Sequence, residues 1–181
     1  LNPDALRQAL EPLAPDLERD PENARFIFND DTLELDLLES AVIGRVLDLE
    51  GSIEEINLRV AQAEHSIPLA FLYEEPAVGD DATAEELGIS EAVSVVSTYF
   101  NGSSPERIQN ITTASSVFHG LLLPPGETLS MSDVLGDISL DNGYAEALII
   151  FGDRTIKGVG GGVCQVSTTL FRAVFFGGFE I

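Results

Sequence analysis

The 181-residue sequence predicts a mixed α+β protein made of two small domains. Capped helix signatures occur along the chain together with short segments of alternating apolar and polar residues, which are typical of strands. Acidic residues are concentrated in the first half: residues 1–88 hold 22 acids and 5 bases, whereas residues 89–181 hold 9 and 4. This change of composition predicts an N-terminal domain at 1–88 and a C-terminal domain at 89–181.

The first domain opens with a helix signature. Asn2 or Asp4 can cap this helix, Pro3 suits its first turn, and leucines follow at helical spacing. The stretch "ARFIFNDDTLELDLL", residues 24–38, alternates around an Asn-Asp-Asp turn, and this pattern predicts a hairpin.

A second helix is predicted over residues 49–64. Ser52 and Glu55 have the spacing of a capping box, with Ser52 as the expected cap. Residues 66–76 predict a short strand, and a short helical turn is expected at 83–87.

The second domain is predicted to begin with a strand at 91–100, where apolar and polar residues alternate. A helix is expected over 103–120, with Ser103 or Ser104 as cap and Pro105 at its first position. Residues 121–131 predict a strand interrupted by a Pro-Pro-Gly turn.

The remaining elements lead to the only cysteine. Residues 132–144 are rich in turn formers, and residues 145–158 predict a hairpin around Gly152 and Asp153. The last helix is expected over 164–176, starting at or next to Cys164. The apolar tail that follows predicts exposed hydrophobic surface near the C-terminus.

The formal net charge of −22 limits the partners. Nucleic acid and anionic membrane are excluded, because no basic patch is present to displace counterions. No apolar stretch reaches the length needed to span a bilayer. Since the sequence starts at Leu1, we expect any membrane tether to lie in a missing N-terminal segment. A single cysteine forms no internal disulfide and leaves the redox compartment open.

Cys164 is the candidate nucleophile. It follows Gly160, Gly161 and Gly162, which allow positive φ and close approach, and it precedes a helix. Unpaired N–H groups and the helix dipole favour the thiolate there, and the same N–H groups can stabilise an oxyanion. The alternative is that Cys164 is a small packing residue.

The chain has two histidines, His65 and His119, and helix-end stabilisation explains each of them better than catalysis. No histidine–cysteine cluster has zinc spacing, so no metal is expected. No Gly-Lys-Ser/Thr follows the glycines, and Val163 replaces the third glycine of a dinucleotide fingerprint. We therefore expect no cofactor.

Several segments resemble the VanW family of vancomycin-resistance clusters. They are "STYFNGSSPERIQNI", "PPGETLS", "NGYAEALII" and "GVGGGVCQVSTTLF", in this order over residues 91–181. Residues 1–88 more weakly resemble the domain assigned to peptidoglycan binding that precedes VanW and L,D-transpeptidase domains. Carried over by position, the family pattern covers Arg107, Asn110, Pro125, Gly126, Glu127, Gly143, Tyr144, Gly160, Gly161, Gly162, Cys164, Gln165, Ser167 and Thr168.

The sequence departs from the family pattern at a few positions. Leu129 replaces a usual Phe, and "SDVLGD" replaces a more usual "NEVLGP". Family members continue past the level of Ile181 into a segment with a histidine. If that histidine is the partner of Cys164, its position lies outside this sequence.

The resemblance implies a bacterial cell-envelope protein, extracytoplasmic and membrane-anchored, whose partners are peptidoglycan or cell-wall peptide stems. In one hypothesis Cys164 performs acyl transfer or peptide hydrolysis, while Arg107 and Glu127 hold the ligand or the site. In the other, the protein is a non-catalytic binding or scaffolding module with a structural Gly-Cys turn. A redox-sensing thiol has no resolving cysteine to support it.

Overall fold

The computed structural model describes all residues from 1 to 181 and confirms the mixed α+β class. The helices are α1 (Pro3–Leu10), α2 (Ala14–Leu17), α3 (Leu49–Val60), α4 (Ala84–Leu87), α5 (Pro105–Ser116), α6 (Met131–Leu135) and α7 (Val163–Phe176). The strands are β1 (Arg25–Asn29), β2 (Glu34–Glu39), β3 (Gly44–Leu47), β4 (Phe71–Glu74), β5 (Glu146–Phe151) and β6 (Arg154–Val159). They form three two-stranded sheets, β1–β2, β3–β4 and β5–β6.

The chain divides into two compact units. One contains Leu1–Arg25 and Leu37–Thr83, and the other contains Phe26–Asp36 and Ala84–Ile181. The change of unit near residue 83 lies close to the change of composition, but the tip of the β1–β2 hairpin groups with the second unit. Composition does not show that the hairpin residues 26–36 group with the second unit, because a hairpin has the same local pattern in either unit. The domain bounds 1–88 and 89–181 stay a prediction.

In the first unit, the cap predicted for α1 is correct and the cap predicted for α3 is wrong. The Asn2 side chain accepts hydrogen bonds from the N–H groups of Asp4 and Ala5. Asp48 caps α3 through the Gly51 N–H, at 2.9 Å. Ser52 lies inside α3, fully buried. Its Oγ accepts from the Ala70 N–H at 2.9 Å, so its hydroxyl serves tertiary packing.

The strands of the first unit are shorter than, or missing from, the sequence prediction. β3 spans four residues that start with a glycine, too few to show a period of two. It pairs antiparallel with β4, Gly44 opposite Glu74 and Leu47 opposite Phe71. Of the strand predicted at 66–76, only residues 71–74 therefore pair with another strand.

In the second unit, α5 begins as predicted, with Ser104 as its cap and Pro105 first. The strands predicted at 91–100 and 121–131 are wrong, because neither segment pairs with another strand. Alternation favours an extended backbone, but a strand also requires a partner. Residues 132–144 are not only turns: Ser130 caps the helix α6, through the Asp133 N–H.

The predicted hairpin at 145–158 is correct. β5 and β6 pair antiparallel from Glu146 opposite Val159 to Phe151 opposite Arg154, and Gly152 takes a positive φ of 61° in the turn. The core beside it consists of four buried residues surrounded by half-buried apolar ones. The buried residues are Ile111, Ala114, Tyr144 and Val166, and the surrounding ones are Phe118, Met131, Leu135, Val159 and Val163.

Apolar surface is exposed near the C-terminus, as the sequence predicts. The exposed side chains are Phe171, Phe175, Phe176, Phe179 and Ile181. None of the helices combines the length and the apolar character required to cross a membrane.

Candidate functional site

Cys164 is the second residue of α7, which confirms the predicted helix start at the cysteine. Its side chain is exposed. No hydrogen bond reaches its sulfur. The thiol therefore faces solvent at the N-terminal end of α7, where backbone N–H groups lack helical partners.

The three glycines before the helix are required by the shape of the turn. Gly160 and Gly162 have φ of +84° and +123°, in the region that favours glycine. A Cβ on Gly161 would lie 2.5 Å from the carbonyl oxygen of Leu148 and 2.9 Å from the Cβ of Ala147. The turn is thus pressed against β5, and any side chain at 161 would push it away.

Asn110 fixes the glycine-rich turn from α5. It is fully buried. Its Nδ2 donates to the carbonyl oxygens of Ala145 and Gly161, both at 2.9 Å. Its Oδ1 accepts from the Ala145 N–H at 2.6 Å. One side chain therefore links α5, the start of the β5 hairpin and the turn, and its three hydrogen bonds are all with backbone groups.

A chain of polar side chains joins the first turns of α5 and α7. Arg107 donates from Nη1 to Ser103 Oγ at 2.6 Å and from Nη2 to Gln165 Oε1 at 3.3 Å. Gln165 Nε2 donates to Thr98 Oγ1 at 2.6 Å. The Thr98 and Thr169 hydroxyl oxygens also lie 2.6 Å apart. Arg107, expected to hold the ligand or the site, is thus bonded to Gln165, the residue that follows Cys164.

The first turn of α7 has few free donors. The Val163 N–H donates to the Gly160 carbonyl at 3.1 Å, and the Gln165 N–H donates to the Gly162 carbonyl at 2.9 Å. The Cys164 N–H makes no such bond. Of the N–H groups between Gly162 and Gln165 that were expected to stabilise an oxyanion, only those of Cys164 and Gly162 therefore remain free to do so.

Cys164 shares one face of α7 with exposed residues. Positions four, seven and eleven residues on point the same way on a helix, and they are Thr168, Phe171 and Phe175. The Thr168 Oγ1 donates to the Cys164 carbonyl at 2.8 Å, and the Phe171 and Phe175 rings stack with centroids 5.9 Å apart. Ser167 is half-buried on the adjoining face.

The other candidates are not joined to the thiol. Glu127 lies in the exposed turn after Pro124, where its N–H donates to the Pro124 carbonyl at 3.1 Å. His119 is exposed just past the end of α5, and His65 is exposed in the first unit. Neither ring bonds to the Cys164 sulfur. No group of three or more His, Cys, Asp or Glu side chains is placed to hold a metal ion.

An open groove of about 770 Å³ runs beside α5, α7 and residues 96–100, and we call it the α5–α7 groove. Gln165, Thr169 and Thr98 line it, so the polar chain described above forms part of its wall. His119 also lines it. Thr169 is one of the hydrogen-bonding residues that follow Cys164 in the glycine-cysteine motif, whereas the sequence motifs did not single out Thr98. Thr98 lies in the segment "STYFNGSSPERIQNI", so the family resemblance of that segment was the signal that could have identified it.

This part of the chain is an α+β domain with an exposed cysteine at the start of a helix. A sterically crowded glycine turn holds that helix start in place. Residues 106–181 match the family model described as "VanW like protein", so this segment is similar to the VanW family. The predicted resemblance to the VanW family is thus confirmed over residues 106–181. The resemblance of residues 1–88 to a peptidoglycan-binding domain stays a prediction.

Two curated bacterial proteins are similar to the chain. "Uncharacterized protein YoaR" from Bacillus subtilis is 42% identical over 84 residues, which are 46% of this chain and 28% of that protein. "Vancomycin B-type resistance protein VanW" from Enterococcus faecalis is 32% identical over 65 residues, 36% of this chain and 24% of that protein. The chain thus aligns with less than a third of either relative. No solved structure matches the chain significantly.

Proposed function

We propose that this chain is part of a bacterial cell-envelope protein that acts on peptidoglycan through the peptide stems of the cell wall, with Cys164 as nucleophile. The observation that carries the proposal is the exposed thiol at the start of α7. Three glycines, the buried Asn110 and the Arg107–Gln165 bond all constrain the backbone around that thiol. A solvent-facing cysteine with such support is typical of a group that reacts.

In this proposal the Cys164 thiolate attacks the carbonyl carbon of a peptide bond in the stem. The carbonyl becomes an oxyanion, to which the Cys164 N–H donates. The C–N bond then breaks, the amine leaves with a proton, and a thioester remains on Cys164. Water completes hydrolysis, or a second amine completes acyl transfer, and either returns the free thiol.

The general base of this reaction is proposed to come from outside residues 1–181. No side chain in the structure hydrogen-bonds to the sulfur, and the family resemblance implies a histidine further along. An extended protein that includes that segment is expected to react faster with the same peptide than residues 1–181 do. Equal rates would show that the later histidine is not the base.

The relative from Enterococcus faecalis is named a vancomycin resistance protein, and we propose the same setting for this chain. Action on the wall requires an extracytoplasmic location, with a membrane anchor contributed by residues before Leu1. Anchoring is tested by fractionating cells that express the natural protein: membrane recovery with protease accessibility from outside supports it, and recovery in the cytoplasm contradicts it.

The reaction is tested by intact-mass spectrometry after incubation with a synthetic stem pentapeptide. The expected result is a peptide adduct on Cys164 that is absent in Cys164→Ala. Thr168→Ala is the matched control, because Thr168 lies on the same exposed face and bonds only to the Cys164 carbonyl. An adduct that survives Cys164→Ala, or no adduct with the extended protein either, rejects the cysteine nucleophile.

A second function, non-catalytic binding to the wall, is favoured by the missing base at the sulfur and by the separate α5–α7 groove. Neutral glycan or peptide stems, or a bridge by divalent cations, suit the net charge of −17 on residues 1–88 better than acidic polymers do. Sedimentation with purified sacculi tests it on the full chain, because the 26–36 hairpin tip groups with the second unit. Retention that Cys164→Ala leaves unchanged supports binding, and no retention rejects it.

A further inference from the structure

The α5–α7 groove has the size of a ligand site. Its volume of about 770 Å³ lies within the range of roughly 300–1,000 Å³ that is usual for such sites. Its lining combines apolar side chains, such as Val96, Ile111 and Leu170, with hydroxyl groups, such as those of Thr98 and Ser115. A mixed lining of this kind orients a ligand by hydrogen bonds while burying its apolar parts.

Val96, Ser97 and Thr98, which line the groove, belong to a strand-like segment that has no partner strand. Along residues 93–99 exposure alternates: Val93, Val95 and Tyr99 are exposed by 64%, 83% and 82%, whereas Val96 and Thr98 are half-buried. This is the pattern of a strand with one face on the body of the protein. The backbone N–H and C=O groups of 93–99 form no hydrogen bond with another backbone group. Such an edge is a template for an added strand.

The charge of the groove restricts what can occupy it. The chain holds 31 acidic residues, but none of them lines the groove, and His119 is its only titratable side chain. A cationic ligand would find no carboxylate there. A second copy of this chain would bring another net charge of −22 against the first, which opposes close association. A short uncharged peptide meets neither obstacle.

We propose that the α5–α7 groove binds a short uncharged peptide in extended conformation, which pairs as a strand with residues 93–99. Seven residues of strand extend over about 20 Å, enough to pair with a peptide of about five residues. The proposal goes beyond the catalytic function and does not depend on it. Cys164 lies on a different face of α7 from Gln165 and Thr169, which line the groove.

The backbone pairing is tested with the peptide acetyl-Thr-Val-Thr-Val-Thr-amide, titrated into the full chain and followed by amide NMR. Binding is expected to shift the signals of residues 93–99. Two N-methylated versions form a matched pair, one methylated at both valines and one at the first and third threonines. Alternate N–H groups of a strand point to opposite edges. One version is therefore expected to bind at least about tenfold more weakly and the other nearly unchanged.

Two neighbouring serines on α5 provide the matched protein variants. Ser115 and Ser116 are both exposed, and each hydroxyl donates to a carbonyl three residues back, at 3.0 Å and 2.9 Å. Only Ser115 lines the groove. Ser115→Trp is expected to weaken peptide binding at least about tenfold. Ser116→Trp is expected to change it less than about twofold.

Several results would overturn the proposal. They are no shift of residues 93–99 at millimolar peptide, equal effects of the two N-methylated versions, and equal effects of the two tryptophan variants. Shifts of residues 93–99 that depend on protein concentration without peptide would identify a second copy as the occupant. That result also rejects a peptide groove.

Discussion

Replacing Asn110 by Ala removes the side chain that holds the glycine-rich turn. The change deletes three hydrogen bonds of a fully buried side chain and leaves the Ala145 N–H and the Gly161 carbonyl without a partner. The Ala145 carbonyl still accepts from the Gly160 N–H at 3.1 Å. A buried polar group without a partner costs about 1–3 kcal/mol. A water molecule that enters the space can satisfy one of these two groups. We expect the free energy of unfolding of the second unit to fall by about 2–4 kcal/mol.

The assay is urea and thermal unfolding followed by circular dichroism, with amide hydrogen exchange of Ala145 as a local probe. For a unit of this size the loss corresponds to a fall in Tm of roughly 10–20 °C. Gln109→Ala is the control. Gln109 is the exposed neighbour on α5, with one hydrogen bond of 2.8 Å from Nε2 to the Gly143 carbonyl. It is expected to cost less than about 1 kcal/mol.

The reasoning fails if Asn110→Ala destabilises the protein no more than Gln109→Ala does. The same holds if the Ala145 amide exchanges at its original rate in the variant. Either result would mean that the turn keeps its shape without the Asn110 amide, and that its position is set by the glycines alone.

Two further predictions concern the same unit. Gly161→Ala is expected to cost about 2–3 kcal/mol, because its Cβ would meet the Leu148 carbonyl at 2.5 Å. Gly126→Ala, with open space around its Cβ and a φ of +86°, is expected to cost only about 1 kcal/mol; equal losses in urea unfolding would contradict the steric argument. Tyr144→Phe is expected to stabilise the protein by about 1 kcal/mol, because the buried Tyr144 hydroxyl has no partner. Burial also raises the pKa of Tyr144, so above about pH 10 the unfolded chain loses a proton that the folded one keeps. Wild-type stability therefore falls as the pH rises past that value, and Tyr144→Phe should reduce the fall; identical slopes for the two proteins would refute the assignment.

The elements that the sequence predicts correctly are those whose signals are local. Asn2 and Ser104 cap their helices through neighbouring N–H groups, and Gly152 makes a turn with its own φ. The errors occur where distant contacts decide. Ser52 has the spacing of a cap, but the packing of Ala70 against it determines its role. The segment 91–100 alternates like a strand, and no other segment pairs with it.

The candidate site follows the same division. The helix start at Cys164 and the need for glycine before it are predictable from residues 157–171 alone. That Asn110 is buried beneath the turn, and that Thr98 and Thr169 complete the bonds of Gln165, depends on how α5 and α7 pack. Asn110 lies 51 residues before Gly161 in the sequence, and Thr98 lies 67 residues before Gln165. No local pattern can identify them.

The rate at which iodoacetamide alkylates Cys164 at pH 7 tests the central claim most directly. The exposed thiol at the start of α7 is expected to react faster in the folded chain than in the same chain unfolded in urea, and Asn110→Ala is expected to reduce the difference. Labelling that occurs only after unfolding would contradict the claim. Cys164 would then be an unreactive part of the turn, and the binding function would be the one to pursue.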